Sequence, residues 1–263
     1  MDEVMVANII GEIMNKAAEG GIRWGEHETK YRRPLIGFLN ASDDRFITLR
    51  DKVNPKHLLP DDILRGAKTV VSFFFPFAPD IVNKNRRKEG DPDISWLYAY
   101  AQTNVLISST CERIRGALSG LGIMAGWVEP THNFDKSTLL SRWSHKSVGY
   151  MAGLGRFGLH QMLITPLGCA GRFGSLILDY HLKPTDPLLA PKVEVCPTLE
   201  GKACNACIKA CPVGAISPDG VDKHKCFVHL NEVNERYRSV IGDEVDACGK
   251  CATAACALKD LSQ

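Results

Sequence analysis

No stretch of this 263-residue chain is long and apolar enough to span a bilayer. Its start, "MDEVMVANIIGEIMNKAAEGG", does not read as a secretory leader, because acids stand where a leader carries bases. Val4, Ala7, Ile10, Ile13, Met14 and Ala17 instead return at helical spacing, and Gly20-Gly21 would stop that helix. An excess of one charge is also missing. With 32 Lys and Arg against 30 Asp and Glu, the net charge of +2 demands neither nucleic acid nor an anionic membrane as partner. There is no low-complexity linker, and nothing repeats outside the cysteine-rich C-terminal part. A hydrophobic content of 44% and a charged content of 24% suit one large globular domain, or one with a small appendage. The expectation is a cytoplasmic protein with no membrane partner, whose thiols stay reduced.

A further absence is local. Bacterial two-cluster ferredoxins use the run C-x2-C-x2-C-x3-C-P, whose fourth cysteine serves the other cluster. In "KACNACIKACPVGAI", residues 202–216, Cys204, Cys207 and Cys211-Pro212 keep the last three positions, but the first position is Gly201. The second half, "DACGKCATAACALKD", offers Cys248, Cys251 and Cys256, and it too is one ligand short. An isolated cysteine stands upstream of each half, Cys196 in "VEVCPTLEG" and Cys226 in "HKCFVHLNE". Eight of the ten cysteines therefore lie between residues 196 and 256, with Cys111 in a predicted helix and Cys169 in a glycine-rich loop left over. Paired C-x2-C motifs in a reduced chain favour metal over disulfides. Zinc would also accept four thiolates per site, but the Cys-Pro closing the first half favours iron–sulfur. Exchanging the last ligand of each half, as two-cluster ferredoxins do, assigns Cys196, Cys204, Cys207 and Cys256 to one [4Fe–4S] cluster. Cys211, Cys226, Cys248 and Cys251 then hold the other.

The residues before Cys196 read as mixed α and β. "PLIGFLNA" (34–41), "TVVSFFFPF" (69–77), "IMAGWVEP" (123–130) and "FGSLILDYHL" (173–182) carry the β-branched and aromatic density of strands. Residues 94–122 predict one long helix ended by glycines, and 136–152 predict helices. The proline-rich "LKPTDPLLAPKVEVCP" (182–197) marks the boundary between modules. The basic run "NKNRRKEG" (83–90) reads as a solvated loop rather than a nucleic-acid site. In "GYMAGLGRFGLHQMLITPLGCAGRFGSLILD" (149–179), seven glycines are interleaved with Arg156 and Arg172. Glycine allows close approach to a large flat ligand, which the arginines could contact. A plain glycine-rich turn joining helix to sheet explains the same spacing. "GLGRFG" follows a predicted helix rather than a strand, so it argues poorly for a dinucleotide site.

This stretch resembles the corrinoid-binding segment shared by epoxyqueuosine reductases and reductive dehalogenases. The matching elements are "AGLGRFG", "LITPLG" and "RFGSLILD", with "RGAKTVVSFFFPF" (65–77) and "DKSTLL" (135–140) upstream and the cysteine halves downstream. The resemblance implies an α+β chain: a nitroreductase-like N-terminal α/β domain over residues 1–190, then a ferredoxin-like module with two clusters over 191–263. It implies a reductase in which a ferredoxin- or flavodoxin-like donor feeds the clusters and a cobalamin acts on a small molecule or modified nucleoside. The expected cofactor-binding residues are Gly153, Gly155, Arg156, Gly158, His160, Thr165, Gly168 and Arg172. Asp135 and Tyr150 are the expected proton donors. Asp135 could instead cap a helix starting at Lys136, Tyr150 could be a core aromatic, and His160 could be structural. Two other readings remain: an electron-transfer protein serving another protein's corrinoid, and a flavin enzyme holding FMN. The chain ends seven residues after Cys256, where epoxyqueuosine reductases continue into helical repeats, so tight tRNA binding is not expected.

Overall fold

The strand "TVVSFFFP", Thr69–Pro76, is buried at every position, so it must be covered on both faces. The computed structural model, which describes residues 2–185 and 196–259, shows how. Thr69–Pro76 is central in a four-stranded antiparallel sheet, between Leu35–Asn40 and Gly171–Leu178, with Ala125–Gly126 beyond the latter. Alternate residues face opposite ways. Val71, Phe73 and Phe75 pack against Val6, Ile10 and Met14 of the helix Glu3–Gly20 and Leu106, Ile107 and Ile114 of the helix Ile94–Ser119. Val70 and Phe74 pack the other way, against Phe46, Leu49, Trp143, Val148 and Met151. Each such phenylalanine withdrawn from water contributes roughly 1.5–3 kcal/mol. The outer strand is covered at one point, where Phe38 N donates to Thr185 Oγ1 (2.8 Å) and Thr185 N donates back to Phe38 O (2.9 Å).

Two expectations need correction. The strand proposed over 123–130 is only Ala125–Gly126. Pro130 has no amide to donate, and the Glu129 carbonyl is taken by Asn133 Nδ2 and the His145 ring instead of a neighbouring strand. Residues 136–152 are not helical throughout: Phe134–Asp135 pairs with Leu140–Ser141 as a hairpin, and only His145–Met151 is helix. Asp135 Oδ1 accepts from the amides of Ser137 (2.8 Å) and Thr138 (3.0 Å), a local turn that outcompetes a helix, and Leu139 follows at φ 56°.

The cysteine-rich part contains a short helix, Ala206–Ala210, and a longer one, Lys223–Ile241, capped by Asp222 and ended by Gly242 at φ 82°. Val233, Ile241 and Val245 rest on Leu97, Tyr100 and Ala101 of the long helix. The proline-rich boundary, with the division between residues 190 and 191, falls largely outside the described residues. Among the described residues no helix is long and apolar enough to cross a membrane.

Candidate functional site

The glycine-rich segment earns its glycines against protein. A Cβ on Gly155 would lie 2.4 Å from the Ile164 carbonyl oxygen, and one on Gly158 would press His160 and Ile164 at 2.9 Å. Gly168 sits at φ +93°, and a Cβ there would lie 2.2 Å from the Ala257 carbonyl oxygen. Next to it, Cys169 N donates to Cys256 O (3.0 Å) and Ala170 N to Ala257 O (3.2 Å). The segment thus zips the second cysteine half onto the sheet.

The basic run is mostly exposed, as expected of a solvated segment, but it is helical over 83–87, and its Asn85 and Arg86 reach the same cysteine half. It forms much of the helix Pro79–Arg87, where Asn85 Nδ2 donates to Cys248 O (3.1 Å) and Arg86 Nε to Thr253 O (2.6 Å). Lys250, buried between two cysteines, donates to the Asn85 carbonyl at 2.8 Å, and burial depresses its ammonium pKa. Trp96 packs on the turn at Gly249 (φ +69°), where a Cβ would lie 2.0 Å from the indole ring.

The thiols fall into two neighbourhoods. Burial raises the pKa of Cys207, and the nearby Cys256, Cys196 and Cys204 raise it further. Cys251 is pushed up to about 12 by burial, then by Cys248, Cys226 and Cys211, with Cys207 of the other set adding to it. Burial also raises Cys226, with Cys211 adding to it, and pushes Cys248 up to about 11. Buried thiols that disfavour one another's ionisation are donors suited to a multiply charged metal centre, which favours the thiolate form. Their spacing is wide. Among the described residues, the one group of three or more His, Cys or acidic ligand atoms within 4.8 Å of one another is His160, Cys169 and Cys256. No such close group forms from either thiol set, although four sulfurs on one zinc at about 2.3 Å would be only about 3.8 Å apart.

Between the sheet body and the cysteine-rich part lies a cavity of about 1000 Å³. Cys211, Cys226, Cys248 and Cys251 all line it, whereas Cys196, Cys204, Cys207 and Cys256 do not. Its other walls include Trp96, Tyr100, Phe134, Tyr150, Phe157 and Arg172. The Arg172 guanidinium stacks on the Tyr100 ring at 4.1 Å and donates to Asn104 Oδ1 at 2.7 Å. Tyr100 O–H donates to Asp246 at 2.5 Å, joining the two parts across the wall.

Of the expected cofactor residues, Arg172 and His160 reach this cavity, and Gly153, Gly155, Arg156, Gly158, Thr165 and Gly168 do not. His160 Nε2 is spoken for by Cys256 Sγ at 3.0 Å, and Nδ1 accepts from Met162 N at 3.1 Å. Thr165 Oγ1 closes its own turn onto Gly168 O at 2.7 Å. Tyr150 is 52% exposed on the cavity rim, not in the core. Asp135 lies outside the cavity, and its turn donors hold its carboxyl pKa down to about 2. Trp96, Tyr100 and Asn104, missed by motif reading, form an i, i+4, i+8 stripe along one helix face.

Fold and site define a two-part protein, an α and β body with a cysteine-rich part clamped over a shared cavity. No family model matches the sequence. The curated proteins it is similar to are epoxyqueuosine reductases. That of Leadbetterella byssophila is 28% identical over 207 residues, covering 74% of this chain and 60% of that protein. That of Aliivibrio fischeri is 35% identical over 107 residues, 38% of this chain and 26% of its own. The chain thus matches at most about three fifths of these curated relatives' length. Among solved structures, the epoxyqueuosine reductase of Streptococcus thermophilus superposes with a TM-score of 0.56 at 15% identity, over 96% of this chain and 65% of that one. A reductive dehalogenase, described with a mechanism for B12-dependent dehalogenation, gives 0.52 at 16% identity, over 82% and 28%. Another epoxyqueuosine reductase, from Bacillus subtilis, has its catalytic aspartate loop swung out of the active site; it gives 0.55 at 19% identity, over 95% and 65%. The resemblance carried by the sequence motifs and the fold point to the same proteins.

Proposed function

We propose that this chain is an iron–sulfur reductase in which two [4Fe–4S] clusters feed electrons to a cobalamin held in the cavity. One observation carries the reading: all four thiols of one set line the cavity while the other set stands off it. That arrangement suits a relay from an outer cluster, through an inner one, to whatever fills the cavity. The wide spacing within each thiol set favours cubanes over zinc. The cavity volume is at the upper end for small-molecule sites, which suits a large flat cofactor and favours an enzyme over an electron carrier. In this reading residues 1–190 form a nitroreductase-like domain and 191–263 a ferredoxin-like module, with a ferredoxin- or flavodoxin-like protein as donor.

When bound, cobalamin would supply a strongly reducing cobalt centre. The chain's own residues supply the surroundings. Trp96, Phe157 and the Tyr100–Arg172 stack exclude water and position a planar ligand. Tyr150 brings a hydroxyl to the rim, within the cavity's reach, and is the proposed proton donor. Asp135 would join it only if its hairpin folded over the cavity, whose wall its neighbour Phe134 already lines. The substrate class is a modified nucleoside or a small molecule. One solved epoxyqueuosine reductase holds an epoxyqueuosine-modified tRNA stem loop.

The test is titration of anaerobically reconstituted protein with cobalamin, followed by its visible spectrum. A stoichiometric shift to the base-off form is expected, weakened at least tenfold by Arg172→Ala, a loss of about 1.4 kcal/mol. Stoichiometric FMN uptake with no cobalamin shift would reject the reading.

A further inference from the structure

We propose that Cys169 is a ninth metal-binding thiol, interchangeable with Cys256 at the cluster completed by Cys196, Cys204 and Cys207. The proposal rests on the two-cluster reading above and adds a ligand that cysteine spacing does not reveal.

The geometry of one small group carries it. Cys169 Sγ lies 3.9 Å from Cys256 Sγ. Two sulfurs bound tetrahedrally to one metal atom at about 2.3 Å stand about 3.8 Å apart, so both thiols are placed to serve the same iron. They are held in that relation by the backbone, through Cys169 N to Cys256 O (3.0 Å) and Ala170 N to Ala257 O (3.2 Å). Gly168 permits the close approach, since any side chain there would collide with Ala257. Cys169 is 1% exposed, and its thiol points at Cys256 Sγ and, at 3.5 Å, the Ala252 carbonyl. His160 completes the group. Because Nδ1 accepts from Met162 N, the ring proton is on Nε2, which donates to Cys256 Sγ at 3.0 Å and lies 3.8 Å from Cys169 Sγ. One imidazole N–H is therefore positioned to stabilise a thiolate on either cysteine.

The exchange balances without any partner molecule. The bond from iron to Cys256 sulfur breaks and one from the same iron to Cys169 sulfur forms. The proton leaving Cys169 crosses the existing S–H···S contact to Cys256. No electron moves and the net charge is unchanged. Cys169 thus differs from the buried Cys111, which faces the apolar layer between sheet and helices.

The experiment is iron and sulfide content after anaerobic reconstitution of wild type, C169A, C256A, C169A/C256A and, as reference, C204A. Wild type and both single variants at Cys169 and Cys256 are expected to hold about eight irons, and the double variant and C204A about four. The four irons kept by the double variant, on Cys211, Cys226, Cys248 and Cys251, show that its fold survives. A C256A protein that falls to about four irons, matching the double variant, would overturn the proposal. Wild type with far fewer than eight irons would instead reject the two-cluster reading beneath it. If truncation at 256 prevents folding, C256S with about eight irons and C169A/C256S with about four support the exchange; equal iron in those two overturns it.

Discussion

The sheet body and the cysteine-rich part hold themselves together by different means. The largest fully buried side chains, among them Trp143, Phe46, Phe73, Phe74 and Phe75, all belong to the body. After residue 196 the buried apolar residues are mostly alanines and cysteines, and the 19-residue helix Lys223–Ile241 buries only Val233 and Ile241. A segment with so little apolar interior depends on what it is clamped to and on what its thiols hold. The expectation is that the body folds on hydrophobic burial alone and that the cysteine-rich part does not.

The strongest way to break this contrast is to remove metal. Chelation of reconstituted protein should collapse amide protection across 223–241 by orders of magnitude while 69–76 and 171–178 stay protected, as read by hydrogen exchange. Equal loss in both regions would show that they are one cooperative unit. Next in size, Phe73→Ala should cost about 3–5 kcal/mol of global stability in urea unfolding without lowering iron content in the folded protein. Asn85→Ala should cost less, about 1–3 kcal/mol, because it strands the Cys248 carbonyl and the Asp93 amide. That loss should appear as faster iron release together with a small fall in the body melting point, because Asp93 caps the helix Ile94–Ser119, checked by chelator kinetics and calorimetry.

The smallest effect is a pH slope located in the body. Burial pulls the His145 pKa down from 6.5 to about 4, with its ring held between Ser175 Oγ and the Glu129 carbonyl. The folded state therefore favours the neutral ring. Its contribution is fully present above pH 6.5 and is lost as pH falls toward 4, where the unfolded chain binds a proton that the folded one resists. Stability should drop by up to about 1.4 kcal/mol per pH unit in that window. His145→Gln should be less stable at neutral pH and should flatten the slope, as measured by urea titrations from pH 7 to 5.

Long periodic elements were legible in sequence. "TVVSFFFPF" and residues 94–122 announced a buried strand and a long helix because burial and spacing agree over many residues. The hairpin at 134–141 was not, because a single aspartate side chain and one positive φ at Leu139 redirect a stretch that otherwise reads as helix. The glycine-rich segment was visible as unusual, yet a missing side chain does not say what approaches it. Here the neighbour is Ala257 or Ile164, not open cavity. Cys169 was passed over for a related reason: a lone cysteine has no spacing, and its partner is 87 residues away. The stripe Trp96, Tyr100, Asn104 was readable in principle, but a helix buried on most sides hides a functional face among core positions.

Thr185 has a consequence beyond the fold. By exchanging hydrogen bonds with both backbone groups of Phe38, it occupies part of an edge that another chain would otherwise recruit. At the opposite edge Ala125 and Gly126 pair only with Leu178 and Ile177, so the strand Gly171–Leu178 has no strand partner on that side over 171–176. A sheet rich in phenylalanine and valine is a natural seed for self-association, and Thr185 removes one pair of backbone groups from the margin at which a second chain would add.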